Sequence, residues 1–82
     1  MRVSSLHKRL IKYLAKHGLR TAYEKQIDLF QRDPFHPSLH TEILEPRHLR
    51  IYSFRVTKQY RAIFIYSGNQ QIQIIDINDH YQ

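Results

Sequence analysis

Four kinds of side chain in the C-terminal half of this chain could between them move a proton and hold a phosphate. Glu42 follows a loop containing His36 and His40 and lies on a segment expected to pair with the strand that carries Arg55. Arg55 and Arg61 flank the turn at Lys58-Gln59. If the loop is the three residues Thr57 to Gln59, the two arginines stand opposite each other on one face, where like charges repel. An anion between them would relieve that repulsion, and phosphate best fits their forked donors. With a two-residue turn, Arg61 instead pairs with Val56 and points away from Arg55. The chain closes on Asp79-His80-Tyr81-Gln82. An imidazole can hand over a proton near neutral pH, and a tyrosine ring can stack on an unpaired base.

A carboxylate, a histidine, an arginine pair and an aromatic ring are the parts needed to cleave RNA without a metal. A base takes the ribose 2′-hydroxyl proton, the oxygen attacks the adjacent phosphorus, cations hold the developing charge, and an acid protonates the leaving 5′-oxygen. Each residue also has a plainer use. The arginine stems can cover the sheet, Glu42 can be a solvated surface carboxylate, and Tyr81 can close the end of the core while His80 faces water. His36, His40 and His48 could suggest a metal site, but HPSLH lies in a loop punctuated by prolines and not on a helix, and no cysteine or carboxylate cluster completes a metal set. Neither a metal nor a cofactor is expected.

These side chains need a scaffold, and the hydrophobic periodicity supplies one. Leu6, Leu10, Ile11 and Leu14 recur at helical spacing between Ser5 and His17, with Ser4 or Ser5 as N-cap and Gly18 as the stop. Leu19, Tyr23, Ile27 and Phe30 continue the period up to Asp33-Pro34, where proline ends the helix. The segment "DPFHPSLHTE" is a loop leading to "EILEP", a short edge strand ending at Pro46. The period then changes to two. "IYSFRVT" places Tyr52, Phe54 and Val56 on one face and Ile51, Ser53, Arg55 and Thr57 on the other. "YRAIFIY" is apolar on both faces apart from Arg61, as a central strand should be. Ser67-Gly68-Asn69 is the expected turn into "QIQIIDI". The predicted fold is α+β: an N-terminal αα-hairpin packed on a twisted, mainly antiparallel sheet of three to four strands.

Composition bounds the rest. The 82 residues make a single domain, 1–82, with one small core. The absence of cysteine removes disulfides as a source of stability. Thirteen Lys and Arg against seven Asp and Glu give a net charge of +6, which suits a nucleic-acid or acidic protein partner. The opening "MRVSSLHKRLIKYLAKHG" lacks the continuous apolar stretch of a secretory signal. No apolar run is long enough for a membrane span, so a cytoplasmic protein without a membrane partner is expected.

The stretch "LHTEILEPRHLRIYSFRVTKQYRAIFIY", with the alternating strand and terminal "HY" after it, resembles the RelE/ParE superfamily of toxins, nearest to its YoeB-like branch. The resemblance spans residues 39 to 82, and "YSFRVTKQYRAIF" is its most specific part. It implies a RelE-like, microbial-ribonuclease-like fold and a toxin of a type II toxin-antitoxin system. The implied activity is an endoribonuclease that cuts mRNA in the ribosomal A site. The resemblance assigns Glu42 as general base, Arg61 as the phosphate-stabilising arginine, His80 as general acid and Tyr81 as the terminal ring that helps hold the substrate. Arg55, Lys58 and His40 are the expected RNA- and phosphate-binding residues.

The implied partners are a cognate antitoxin, the ribosome with its mRNA, and operator DNA through the antitoxin complex only. A homodimer is also compatible. Two departures matter. Only Met1 to Ser4 precede the first helix, so the opening edge strand of the superfamily is expected to be shortened or missing. Ser53 stands where lysine-dependent relatives carry a lysine, which moves the chemistry onto Glu42 and His80. The alternatives are a ParE-like inhibitor of DNA gyrase and a degenerate module that only binds antitoxin.

Overall fold

Leu10 and Leu14 lie one turn apart and form the buried stripe of the first helix, α1 (Lys8–Lys16). The helix begins later than Ser4 or Ser5 would have it. His7 is the N-cap, and its ring Nδ1 accepts a hydrogen bond from the Arg9 backbone N–H at 3.1 Å. A ring nitrogen thus serves an orphan donor that a hydroxyl usually takes. Gly18 ends the helix as expected. With φ at +65° it turns the chain so that Leu19 N–H reaches the Leu14 carbonyl at 2.8 Å and its own N–H reaches that of Ala15 at 3.3 Å. This Schellman closure also brings Leu19 and Leu14 into the core together. The second helix, α2 (Arg20–Arg32), then stops at Asp33 ahead of Pro34, with Tyr23, Gln26 and Phe30 buried along one stripe.

The computed structural model describes residues 1–80, and within them the helices cover one face of a five-stranded sheet ordered β1-β5-β4-β3-β2. The strands are β1 (Arg2–Val3), β2 (Glu42–Ile43), β3 (Tyr52–Arg55), β4 (Arg61–Gly68) and β5 (Gln71–Asn78). All pairings are antiparallel except β1 with β5. The expected three to four strands become five because the opening strand is shortened and not lost. Arg2 N–H and Ser4 N–H bond the Gln70 and Ile72 carbonyls at 2.8 and 2.9 Å. Two residues are too few to display an alternating pattern, so the edge of β5 recruits them.

The last hairpin also differs from the expected Ser67-Gly68-Asn69 turn. Strand β4 runs through Gly68, and the turn is Asn69-Gln70 with Gln70 at φ 61°. Gly68 instead adjoins a register shift after Tyr66, where it marks a bulge.

The core lies entirely on the helix side. Phe30 of α2 sits on Phe54 and Phe64 with ring centroids 5.3 and 5.2 Å apart, and all three are fully buried. Leu10, Leu14, Leu39, Ile72 and Ile77 are among the buried residues packed with them. The alternation in β3 therefore falls as read, with Phe54 and Val56 inward and Ser53 and Arg55 on the opposite, open face.

Candidate functional site on the open face of the sheet

The β3–β4 connection fixes the register on which the site depends. Val56 N–H and Thr57 N–H both bond the Tyr60 carbonyl, at 2.9 and 3.1 Å. The Thr57 hydroxyl accepts from the Gln59 and Tyr60 N–H groups at 3.2 and 3.1 Å. The resulting turn pairs Arg55 directly with Arg61, which is the three-residue alternative. Strand pairing extends this row from Arg61 to Asn78 and sets Glu42, Ser53 and Ile63 in the neighbouring row of the same face.

Arg61 is 5 % exposed and Ser53 is fully buried, so each polar group there needs a partner. Arg61 Nε donates to Ser53 Oγ at 2.9 Å, and Nη2 donates to the His40 carbonyl and lies 3.9 Å from Glu42 Oε1. These acceptors satisfy donors of the buried guanidinium. Glu42 remains 41 % exposed and so combines contact with the buried guanidinium and access to solvent.

The loop that delivers Glu42 and the His40 carbonyl is tied down at several points. Leu39 is fully buried at the end of a 3₁₀ turn, Pro37–Leu39. Thr41 Oγ1 donates to the Pro34 carbonyl at 2.8 Å. Buried Gln26 of α2 donates to the Arg55 carbonyl at 2.7 Å and the Ser38 carbonyl at 3.4 Å. His40 itself is in the left-handed region at φ 47°, which aims its carbonyl at Arg61. Its ring is exposed, so the polar contact seen at this site is made by its main chain.

At the far end of the row, Asn78 Nδ2 donates to Asp76 Oδ2 at 2.8 Å, and Asn78 Oδ1 accepts from the His80 N–H at 3.1 Å. The His80 ring that follows is 86 % exposed and lies 3.9 Å from Asp79 Oδ1. His80 joins Leu44, Ile51, Ile63, Ile75, Asp76 and Asn78 in lining a shallow groove of about 390 Å³. Lys58 lies exposed at the hairpin tip and Arg55 half-buried beside Arg61. Tyr81 lies outside the described residues. Sequence reasoning picked out Glu42, Arg61 and His80, which β2, β4 and the end of β5 bring to this face. It did not single out Ser53 or Asn78 as participants; the only signal would have been a small polar residue sharing a face with an arginine.

Two helices on one side of a five-stranded, mainly antiparallel sheet make a fold that solved structures share. Among them is a YoeB/ParE toxin from Agrobacterium tumefaciens, which superposes with a TM-score of 0.73 at 20 % identity over 99 % of this chain and 100 % of that one. A YoeB-YefM complex from Staphylococcus aureus matches with a TM-score of 0.70 at 17 % identity over 98 % of this chain and 94 % of that one. A heterotetrameric YoeB-YefM toxin-antitoxin complex from the same organism gives 0.69 at 17 % identity, with the same coverages of 98 % and 94 %. The fold of this chain is that of the YoeB/ParE toxins, and at such identities the fold is what the likeness establishes.

An uncharacterized protein from Haemophilus influenzae is 44 % identical over 68 residues, or 82 % of this chain and 63 % of the relative's length. The chain thus spans less than two thirds of that relative. No protein-family model matches it.

Proposed function

We propose that this chain is the toxin of a type II toxin-antitoxin pair, of the RelE/ParE superfamily and YoeB-like branch, and that it is a metal-independent endoribonuclease cutting mRNA at the ribosomal A site. The observation that carries the reading is the buried Arg61 guanidinium 3.9 Å from the half-exposed Glu42 carboxylate on the open sheet face. An RNA strand lying there would meet a base and a cation in neighbouring rows and an acid just past the end of β5. Glu42 takes the 2′-hydroxyl proton and the freed oxygen attacks the adjacent phosphorus. Arg61 holds the negative charge that builds on the phosphoryl oxygens, and His80 gives a proton to the departing 5′-oxygen. The products are a 2′,3′-cyclic phosphate and a 5′-hydroxyl. Tyr81 is proposed to hold the substrate, and Arg55, Lys58 and the His40 loop to bind the RNA backbone.

The partner proposed to silence it is a cognate antitoxin, since two of the similar structures are YoeB-YefM complexes. The groove offers leucine and isoleucine side chains on a sheet face that water usually meets with polar ones. An acidic segment with apolar side chains would complement it on a chain of charge +6. Among the described residues no helix is long and apolar enough to cross a membrane.

Induced expression in growing bacteria, followed by primer extension on a reporter mRNA, tests the reading. Cuts within translated codons, absent for His80→Ala, are the expected result. Growth arrest without mRNA cuts, together with inhibited DNA supercoiling, would replace it with gyrase inhibition.

A further inference from the structure

The Nε and Nη2 atoms of Arg61 form the side of the guanidinium that would grip two oxygens of one phosphate. Here Nε donates to Ser53 Oγ at 2.9 Å and Nη2 to the His40 carbonyl. Ser53 is fully buried and Arg61 nearly so. The two acceptors come from different parts of the chain. Ser53 is fixed in the sheet between Glu42 and Ile63, and the His40 carbonyl is aimed by a left-handed residue at the end of an anchored turn. A single acceptor would allow the planar group to swing about one hydrogen bond, whereas two on the same edge fix its plane.

We propose that Ser53, with the His40 carbonyl, is a positioning clamp that sets the orientation in which Arg61 presents its charge to a phosphate. The proposal rests on the reading of the face as an RNA-cleaving site. Ser53 touches no substrate in this scheme and acts only through Arg61. Its hydroxyl is small enough to lie buried between strands and leave Arg61 pointing along the open face toward Glu42, which a lysine at the same place could not do without adding a charge. A site that works by pre-set charge loses on the order of 10² in rate when a group is displaced by about 1 Å, so removing one of two clamping acceptors is expected to cost about 10- to 100-fold.

The test combines three readouts on the full chain. In single-turnover cleavage on programmed ribosomes, Ser53→Ala should lower the rate of cutting about 10- to 100-fold with little change in half-saturation, and Ser53→Thr should recover activity by restoring the hydroxyl. In an Arg61→Ala background, Ser53→Ala should have no further effect. By NMR of free protein labelled at arginine, the Arg61 Nε–H signal should be slow to exchange with solvent in wild type and fast in Ser53→Ala, while melting confirms that the variant is folded. Wild-type cutting by Ser53→Ala, or an equal loss in the Arg61→Ala background, overturns the clamp. An unprotected Nε–H in wild type overturns it too. A wild-type chain that cuts no RNA but keeps a Ser53-dependent Nε–H signal would sink the nuclease reading and leave the clamped geometry standing.

Discussion

Replacing Glu42 by glutamine separates its contact with Arg61 from the general-base role proposed for it. The amide keeps the shape of the side chain and an oxygen able to accept from Arg61, but removes the charge and the ability to take a proton. Breaking a fully buried ion pair costs about 3–5 kcal/mol. Glu42, however, is 41 % exposed and its oxygen lies 3.9 Å from Nη2, at the limit of an ion pair. Arg61 also keeps its bonds to Ser53 and the His40 carbonyl. Solvent screening therefore reduces the expected loss of stability to about 1 kcal/mol, a fall in Tm of roughly 4–8 °C for a domain of this size. Loss of a general base should lower cleavage by a factor of about 10² or more.

Urea or thermal melts of purified Glu42→Gln give the first number, and primer extension on programmed ribosomes gives the second. A variant that melts slightly early and cuts a hundredfold more slowly agrees with both roles. Undiminished cutting would remove Glu42 from the chemistry. A stability loss above about 3 kcal/mol would mean that Arg61 depends on that charge as a fully buried cation does.

His80→Ala, at a side chain 86 % exposed, should change stability by no more than about 0.5 kcal/mol while cutting falls about 10²-fold or more; melting and cleavage run in parallel check both. Phe30→Ala should cost about 3–5 kcal/mol, because the ring is fully buried between Phe54 and Phe64, and denaturant unfolding will show whether a folded state survives. Burial pushes the Tyr23 phenol well above its ordinary value. Folding therefore favours its protonated form, a contribution fully present below pH of about 10 and lost progressively as pH rises above it. Tyr23→Phe should flatten the alkaline limb of a stability–pH curve. Gly18→Ala meets no neighbouring atom but sits at φ +65°, so the expected cost of about 1 kcal/mol is backbone strain alone, and Gly18→Asn should cost less.

Much of the scaffold was legible because local chemistry specified it. Gly18 and Pro34 punctuate two helices whose apolar period is unbroken, and β3 alternates cleanly. The opening strand, expected to be shortened or missing, is too short to carry a period. Strand β1 has two residues and exists because β5 offers it an unpaired edge. The hairpin turn slipped from Gly68 to Asn69-Gln70 because the glycine serves a bulge, and a single glycine in sequence looks the same in either use. His7 was passed over as a cap because histidine seldom fills that position.

The candidate site divides along the same line. Glu42, Arg61 and His80 were named from their chemistry and from a resemblance confined to residue types and spacing. The choice between two turn lengths, and with it the face on which Arg61 lies, was left open until the Val56 and Thr57 bonds to the Tyr60 carbonyl were seen. His40 attracted attention for its ring, yet it reaches Arg61 through a carbonyl, and no residue name announces where a carbonyl points.

By itself, then, the sequence determined the fold class, the charge and which side chains have the chemistry to react, since propensity, periodicity and composition act over neighbouring residues. Only the tertiary structure decided that Arg61 would be buried against Ser53 and the His40 carbonyl, beside a carboxylate left half in water. Those contacts join residues 8 and 21 positions apart, and strand register and loop geometry, not residue type, set which groups meet.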